Sequence, residues 1–503
     1  MTSEELRARF GVAAHAHLRP DATAVVAGER RISYRQLDDR ITRAANALGA
    51  LEIERRSRVL VALRNRPEML EVAMGAARLR AEVVPAAWRS TADELAYLAA
   101  DAGAAVAIVE PEGRAAAEGL GIPVLVVGDD YDAALARQST EPIDGAGLDY
   151  VHLHTYTSGT TGRPKAIQLP GFNPKHALLH AREYQARWGL DEPDLVNLAV
   201  SPMHHLAGWS YPHSALVFGH TTVLMDGFDA EQVLALIERE RVTYLNLVPY
   251  HFLRIAQLDD DVRRRYDLSS VRIVLHGSAP CPPDLKWQMV ELFPPDTIWE
   301  TYGGSEGLAS VISPAEWREH PGSVGRPVEE LQILGDDGMP CAAGEPGLIY
   351  VAPRAGVRFE YRGDPEQSAA IWRGDLFTLG DIGYLDADGY LYLVDRAKDM
   401  IVSGGANVYP AEVEAVLREH PAVAEVAVIG VPDDTWGERV HAVVVPGMPV
   451  TESELLVVCR ERLVRAKCPS SVELVDELPR DPLGKVRKRD LRDRYWRDEE
   501  RRI

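Results

Sequence analysis

The run Tyr156-Thr-Ser-Gly-Thr-Thr-Gly-Arg-Pro-Lys165 gathers two glycines, a row of short hydroxyls and a lysine into one stretch of chain. These residue types suit phosphate. Gly159 and Gly162 let the backbone approach an anion and turn its N–H groups inward. Thr157, Ser158, Thr160 and Thr161 add short donors, and Lys165 adds a full charge. The spacing differs from the Walker pattern, because Arg-Pro-Lys follows Gly162 and no hydroxyl follows the lysine. Alone, the run is equally a polar surface loop.

More chemistry-bearing segments follow in order. They are Pro202-Met-His-His-Leu-Ala-Gly208, His276-Gly-Ser-Ala-Pro280, Tyr302-Gly-Gly-Ser-Glu306, Gly380-Asp-Ile-Gly383, Asp395-Arg-Ala-Lys-Asp399, Ser403-Gly-Gly-Ala-Asn407 and Pro479-Arg-Asp-Pro-Leu-Gly-Lys485. Singly, Asp381 reads as a turn carboxylate, Glu306 as a surface residue and Lys485 as one charge on a basic tail. As an ordered set they resemble the acyl-adenylate-forming superfamily of AMP-dependent synthetases and ligases, and His276 to Lys286 and Gly380 to Glu414 resemble its acyl-CoA synthetase branch. The resemblance covers about Ser33 to Arg492.

That resemblance implies ATP-dependent activation of a carboxylic acid, aromatic or medium-sized, to an acyl-AMP. Transfer to coenzyme A then releases AMP. A carboxylate is a poor electrophile, and attack on the α-phosphate builds charge that needs preorganised donors and a metal. By the resemblance, Thr157 to Lys165 cradles the β- and γ-phosphates, Glu306 with Thr160 holds Mg²⁺, and Ser305 meets the α-phosphate. Tyr302, Gly303 and the backbone of Gly277, Ser278, Ala279 and Pro280 flank the adenine, while Asp381, with Arg396 beside it, takes the ribose. Lys485 reaches the acyl and α-phosphate oxygens, and His205 gates the acid pocket, with Trp209 and Tyr211 as candidate lining. Lys398 is the hinge about which a small domain swings, presenting either Lys485 or the CoA-facing Gly404-Gly405 loop.

The elements that must position these residues follow from periodicity. Leu37, Ile41, Ala45 and Leu48 fall at helical spacing after Ser33, and Val59-Leu-Val-Ala-Leu63 reads as a buried strand. Helix and strand keep alternating to about Leu275, the mark of parallel sheets covered by helices. From Gly325 to Asp395 the texture becomes antiparallel hairpins, and Asp386-Ala-Asp-Gly389 reads as a hairpin turn rather than a calcium loop. The expected fold is α/β: a large N-terminal adenylation domain, 1–395, of two α/β layers with a small β-barrel-like hairpin region, and a mobile α+β domain, 396–503. Thr451 and Glu454 form a capping box in that last part, and the basic tail after Lys485 reads as a solvated amphipathic helix.

Composition excludes several classes. The 503 residues exceed one core, and a net charge of −21 disfavours nucleic acid. No apolar run suggests a secretion signal or membrane insertion, so the expected compartment is the cytoplasm. Cys281, Cys341, Cys459 and Cys468 are scattered and read as free thiols. The chain departs from the family pattern at Ala166, at Leu169-Pro-Gly-Phe172 and at Ser305. Those near the acid and phosphate sites leave three other activities open: a diazotase activating nitrite for an arylamine, a ligase loading a carrier protein, and a nucleotide-binding protein without catalysis.

Overall fold

Ser33 begins the first long helix, Tyr34–Ala50, with a reciprocal cap: its hydroxyl accepts from Gln36 N–H, and Gln36 accepts from Ser33 N–H at 2.9 Å. The helix buries Leu37, Ile41, Ala45 and Leu48, as the spacing predicts. It lies close to the helix Pro67–Arg78, where a Cβ on Gly75 would come within 3.0 Å of Ala45 N.

This computed structural model describes residues 2–143, 146–157, 165–169, 173–353, 357–403, 406–433, 435–481 and 484–496. Contacts divide the chain into two units. Met1–Glu300 with Val357–Ala369 forms the first, and Thr301–Gly356 with Ala370–Ile503 the second. Arg396, the expected boundary, lies inside the second unit: its strand, Leu391–Arg396, pairs with Leu376–Leu385, and the neighbouring Asp395 accepts from Ala411 N–H at 2.8 Å.

The first unit holds a four-stranded parallel sheet in the order Glu82–Pro85, Arg58–Ala62, Val106–Val109, Val124–Val126. A second sheet runs Arg30–Ser33, Thr23–Ala27, Thr221–Leu224, Val196–Ala199, Tyr244–Leu247, Ile273–His276, and then the segment Ile298 to Glu300. All its pairings in this unit are parallel except the first. Such strands are buried on both faces, which is why they read as continuous apolar runs. The short strands Tyr156–Thr157, Lys165–Gln168 and Glu360–Tyr361 form an antiparallel set.

The second unit is largely antiparallel, as the hairpin texture predicts. Leu331–Leu334, Gly347–Val351, Leu376–Leu385, Leu391–Arg396 and Trp372–Arg373 form one sheet. The Asp386 segment is a hairpin turn, its carboxylate accepting from Asp388 N–H and Tyr390 N–H at 3.0 and 2.8 Å. A further sheet pairs Val423–Asp433 with Gly437–Pro446 and carries the helices Pro410–Arg418, Glu452–Arg462 and Lys488–Trp496. The Thr451 and Glu454 capping box is present. The tail is helical but not freely solvated: Lys488 pairs with Glu414 at 2.7 Å and Arg492 with Asp399 at 2.9 Å, both largely buried. Lys488 and Arg492 thus face acids distant in sequence, while Arg487 and Arg489 lie beside the local acids Asp490 and Asp493 on the solvated side.

Candidate active site

In the first unit, Lys165 opens the strand Lys165–Gln168, and Thr157 is its register partner across the antiparallel pair. The pairing ties down both ends of the glycine-rich segment. Lys165 Nζ donates to the carboxylate of Asp364 and the amide oxygen of Gln367. The Lys165 ammonium holds the Asp364 carboxyl below the usual carboxylate range. Ser158, Gly159, Thr160, Thr161 and Gly162 lie outside the described residues, as do Gly404 and Gly405.

The segment Gly277 to Pro280 leaves the carboxyl end of the strand Ile273–His276, the edge of an α/β sheet where ligands bind. Ser278 sits in the left-handed region at φ 68°, a conformation that costs a serine energy. Beneath the segment, Lys286 Nζ donates to Glu300 Oε2 at 2.6 Å, and His276 Nε2 lies 3.5 Å from the same oxygen. Lys286 is 1% exposed. Burial raises the Glu300 pKa, an effect the Lys286 charge opposes, and burial keeps His276 neutral well below its ordinary value. Burial likewise raises the Cys281 thiol.

His204 and His205 end the loop before the helix Leu206–Phe218, their rings 4.2 Å apart. Burial, then the neighbouring His205, lowers His204 to about 3, so its ring is neutral. Gly208 is required here, because a Cβ would meet Pro202 O at 2.1 Å. Tyr211 lines a cavity with Ser201, Ala207 and Asn246. Trp209 does not: it is 2% exposed and stacks on His213 in the core, a correction to the expected lining. A tryptophan one turn inside an apolar helix is drawn inward by its large buried area.

In the second unit, Ser305 and Glu306 form the two-residue turn between the strand that ends at Gly304 and the strand Gly307–Ile312. Gly303 permits the close return, since a Cβ there would meet Gly307 O at 2.4 Å. Tyr302 Oη donates to Asp381 Oδ2 at 2.7 Å, and Arg396 Nε lies 3.2 Å from Asp381 Oδ1. Asp381 and Arg396 are register partners on adjacent strands. Burial and the Asp381 charge raise the Tyr302 phenol, which stays protonated as a donor. Lys485 is pushed down to about 8 by burial and then by Arg396, with Lys398 acting in the same direction and Asp381 and Asp481 opposing. Lys398, in the turn Ala397–Asp399, is lowered by burial and then by Arg396. The structure thus groups Tyr302, Asp381, Arg396, Lys398 and Lys485 electrostatically.

Sequence reasoning missed Asp364, Gln367, Lys286 and Glu300. Asp364, Gln367 and Glu300 lie outside the motif segments and Lys286 only closes one, and Asp364 is 199 residues from its lysine. Oxygen donors suit the hard cation Mg²⁺, and the Glu306 carboxylate at a turn tip fits one ligand position.

Residues 12–358 match the model of the AMP-binding enzyme family, and residues 412–485 match the AMP-binding enzyme C-terminal domain. A feruloyl-CoA synthase of an Amycolatopsis species is 38% identical over 95% of this chain and 97% of its own. An indoleacetate–CoA ligase of Aromatoleum aromaticum is 38% identical over 95% and 96%. The o-succinylbenzoate CoA synthetase of Bacillus subtilis, solved with its acyl-adenylate intermediate, superposes with a TM-score of 0.84 at 29% identity, covering 96% of this chain and 97% of that one. The same enzyme is also solved with ATP and a magnesium ion, at a TM-score of 0.83 and 29% identity over 96% of this chain and 98% of that one. The chain therefore belongs to the AMP-binding enzyme family, in the acyl-CoA synthetase branch of the acyl-adenylate-forming superfamily.

Proposed function

We propose that this protein is an ATP-dependent acid–CoA ligase. A carboxylate oxygen attacks the α-phosphorus of ATP, the bond to pyrophosphate breaks, and an acyl-AMP forms. The CoA thiolate then attacks the acyl carbon and AMP leaves. The observation that carries this reading is the cluster of Tyr302, Asp381, Arg396 and Lys485, which holds a carboxylate ready for a ribose beside a concentration of positive charge. Relatives that are CoA ligases along nearly the whole chain support it over nitrite activation, carrier loading or loss of catalysis.

In this reading Asp381 accepts from the ribose hydroxyls and Arg396 holds Asp381 in place. Lys485 meets the charge that builds between acid and α-phosphate. Lys165 serves the outer phosphates, and Ser305 donates to the α-phosphate. Glu306 and Thr160 would hold Mg²⁺, which neutralises triphosphate charge when bound. Gly277 to Pro280 and Gly303 flank the adenine, and His205 stands at the acid's entrance. The turn carrying Lys398 is the proposed hinge between 1–395 and 396–503, with Gly404 and Gly405 facing CoA in the second half-reaction. ATP and CoA are soluble metabolites, which points to the cytoplasm. Among the described residues no helix is long and apolar enough to cross a membrane.

Pyrophosphate release with Mg²⁺-ATP tests the reading, using aromatic, medium-chain and long-chain carboxylates and nitrite, each with CoA or an arylamine. A carboxylate-driven release with a CoA thioester by mass is the expected result. Release with nitrite alone would make the protein a diazotase.

A further inference from the structure

The loop that ends in His204 and His205 is held from the other parallel sheet. Asn65 lies between the strand Arg58–Ala62 and the helix Pro67–Arg78, and it reaches the loop that leaves the strand Val196–Ala199. Its Nδ2 donates to Ser201 O at 3.0 Å, and its Oδ1 accepts from Met203 N–H at 2.8 Å. One amide thus brackets Pro202. Partners of opposite sense on the two sides fix which way that amide faces. Asn65, Ser201 and Met203 are all buried, so a lost bond here is not replaced by bulk water.

Asn65 is itself braced. The buried Glu110 accepts from Arg64 N–H at 2.9 Å and from Arg66 Nη1 at 2.7 Å, one bond on each side of Asn65 in the chain. Beyond the bracket, Pro202 O accepts from His205 N–H at 3.1 Å, and His205 O accepts from Trp209 N–H at 2.9 Å. The position of the bracket therefore passes to His205 and to the first turn of the helix Leu206–Phe218. Gly208 lets that turn lie directly against Pro202, which leaves the loop little room to shift on that side.

We infer that Asn65 is a positioning residue for the acid half of the site, setting the place of His205 through the backbone of Ser201 to Met203 without touching substrate. The inference rests on the acid–CoA ligase reading, because it takes His205 as standing at the acid's entrance. Without the amide, a buried carbonyl and a buried N–H lose their partners, and the loop recovers them only by shifting or by opening to water. Either response displaces His205. A small misplacement of a binding group is costly in a site that works by orientation, and the cost falls on the acid rather than on ATP.

The test uses the purified full chain, the variant Asn65→Leu, which removes both bonds, and the isosteric Asn65→Asp, which keeps the acceptor but sets an oxygen against Ser201 O. With the carboxylate that drives pyrophosphate release fastest in the parent, Asn65→Leu should raise KM for the acid at least about tenfold and leave KM for ATP within about twofold. Asn65→Asp should show the same split. Amide exchange read by mass should quicken in the peptide spanning 201–205 and not in the strand Val196–Ala199. Combining Asn65→Leu with His205→Ala should cost much less than the product of the single effects, because the first acts through the second. Equal rises in both KM values, unchanged exchange across 201–205, or fully multiplicative effects overturn the inference. If no carboxylate drives release in the parent, the ligase reading falls and the acid role with it; quickened exchange then keeps the bracket as a loop anchor, and unchanged exchange overturns that too.

Discussion

Each unit withdraws a lysine from water, Lys286 wholly and Lys485 in part, and the two are treated differently. Lys286 in the first unit is matched with a single carboxylate, Glu300, and the neighbouring His276 is neutral. Lys485 in the second shares its surroundings with Arg396 and Lys398, and its proton is held loosely enough to leave at about pH 8. Two acids, Asp381 and Asp481, act on it in the opposite direction. The first pair offsets its burial only in part, since burial still lowers Lys286 and raises Glu300. The second group crowds Arg396 and Lys398 around a half-buried lysine, and an incoming anion offsets their repulsion. The comparison separates a buried charge that supports a loop from one poised for chemistry.

The largest effect should come from breaking the matched pair. Lys286→Ala leaves Glu300 buried without its cation, and urea unfolding should show a loss of about 3–5 kcal/mol. The double change Lys286→Met with Glu300→Leu should restore most of it; a single variant as stable as the parent would dissolve the contrast. Next, Lys485→Ala should lower adenylate formation by roughly 10²–10³-fold, about 3–4 kcal/mol of transition-state stabilisation, with the fold intact by circular dichroism. Near-normal pyrophosphate release by that variant would remove Lys485 from the chemistry.

Tyr302→Phe deletes one hydrogen bond to the Asp381 carboxylate, a loss of about 1.5–3 kcal/mol, which should appear mainly in KM for ATP rather than in melting temperature. The smallest effect is on pH. The folded Lys485 releases its proton at about 8, below the ordinary lysine value of about 10.4, so kcat/KM for ATP should fall as pH rises through about 8, by about tenfold at pH 9. Because the unfolded chain binds more protons between those values, the parent should gain stability relative to Lys485→Ala over the same window. An alkaline limb that persists in Lys485→Ala would assign it to another group.

Local rules made much of this legible. Thr451 with Glu454 announces a helix start from four residues of sequence, and the cap is present. Alternation gave the parallel sheets and the hairpins because burial on one or both faces is written along each strand. What sequence could not disclose was pairing across distance. Asp364 finds Lys165, and Glu300 finds Lys286, only once the sheets are assembled. The basic tail is an amphipathic helix with Arg489 and Arg494 half exposed or more, but Lys488 and Arg492 find Glu414 and Asp399, which lie far upstream. Trp209 went inward because a helix's facing is set by its packing partners, which motif reading ignores.

The segment Val357–Ala369 belongs to the first unit although the chain has already entered the second. It contributes the strand Glu360–Tyr361 against Lys165–Gln168, and it brings Asp364 and Gln367 to the lysine. Anyone dissecting this protein therefore meets a splice rather than a border. A fragment stopped at Glu300 keeps its two parallel sheets, but it lacks the strand that covers Lys165–Gln168 and the acid that faces Lys165. Grafting the segment back through a short linker is the economical route to a first unit that can be expressed alone.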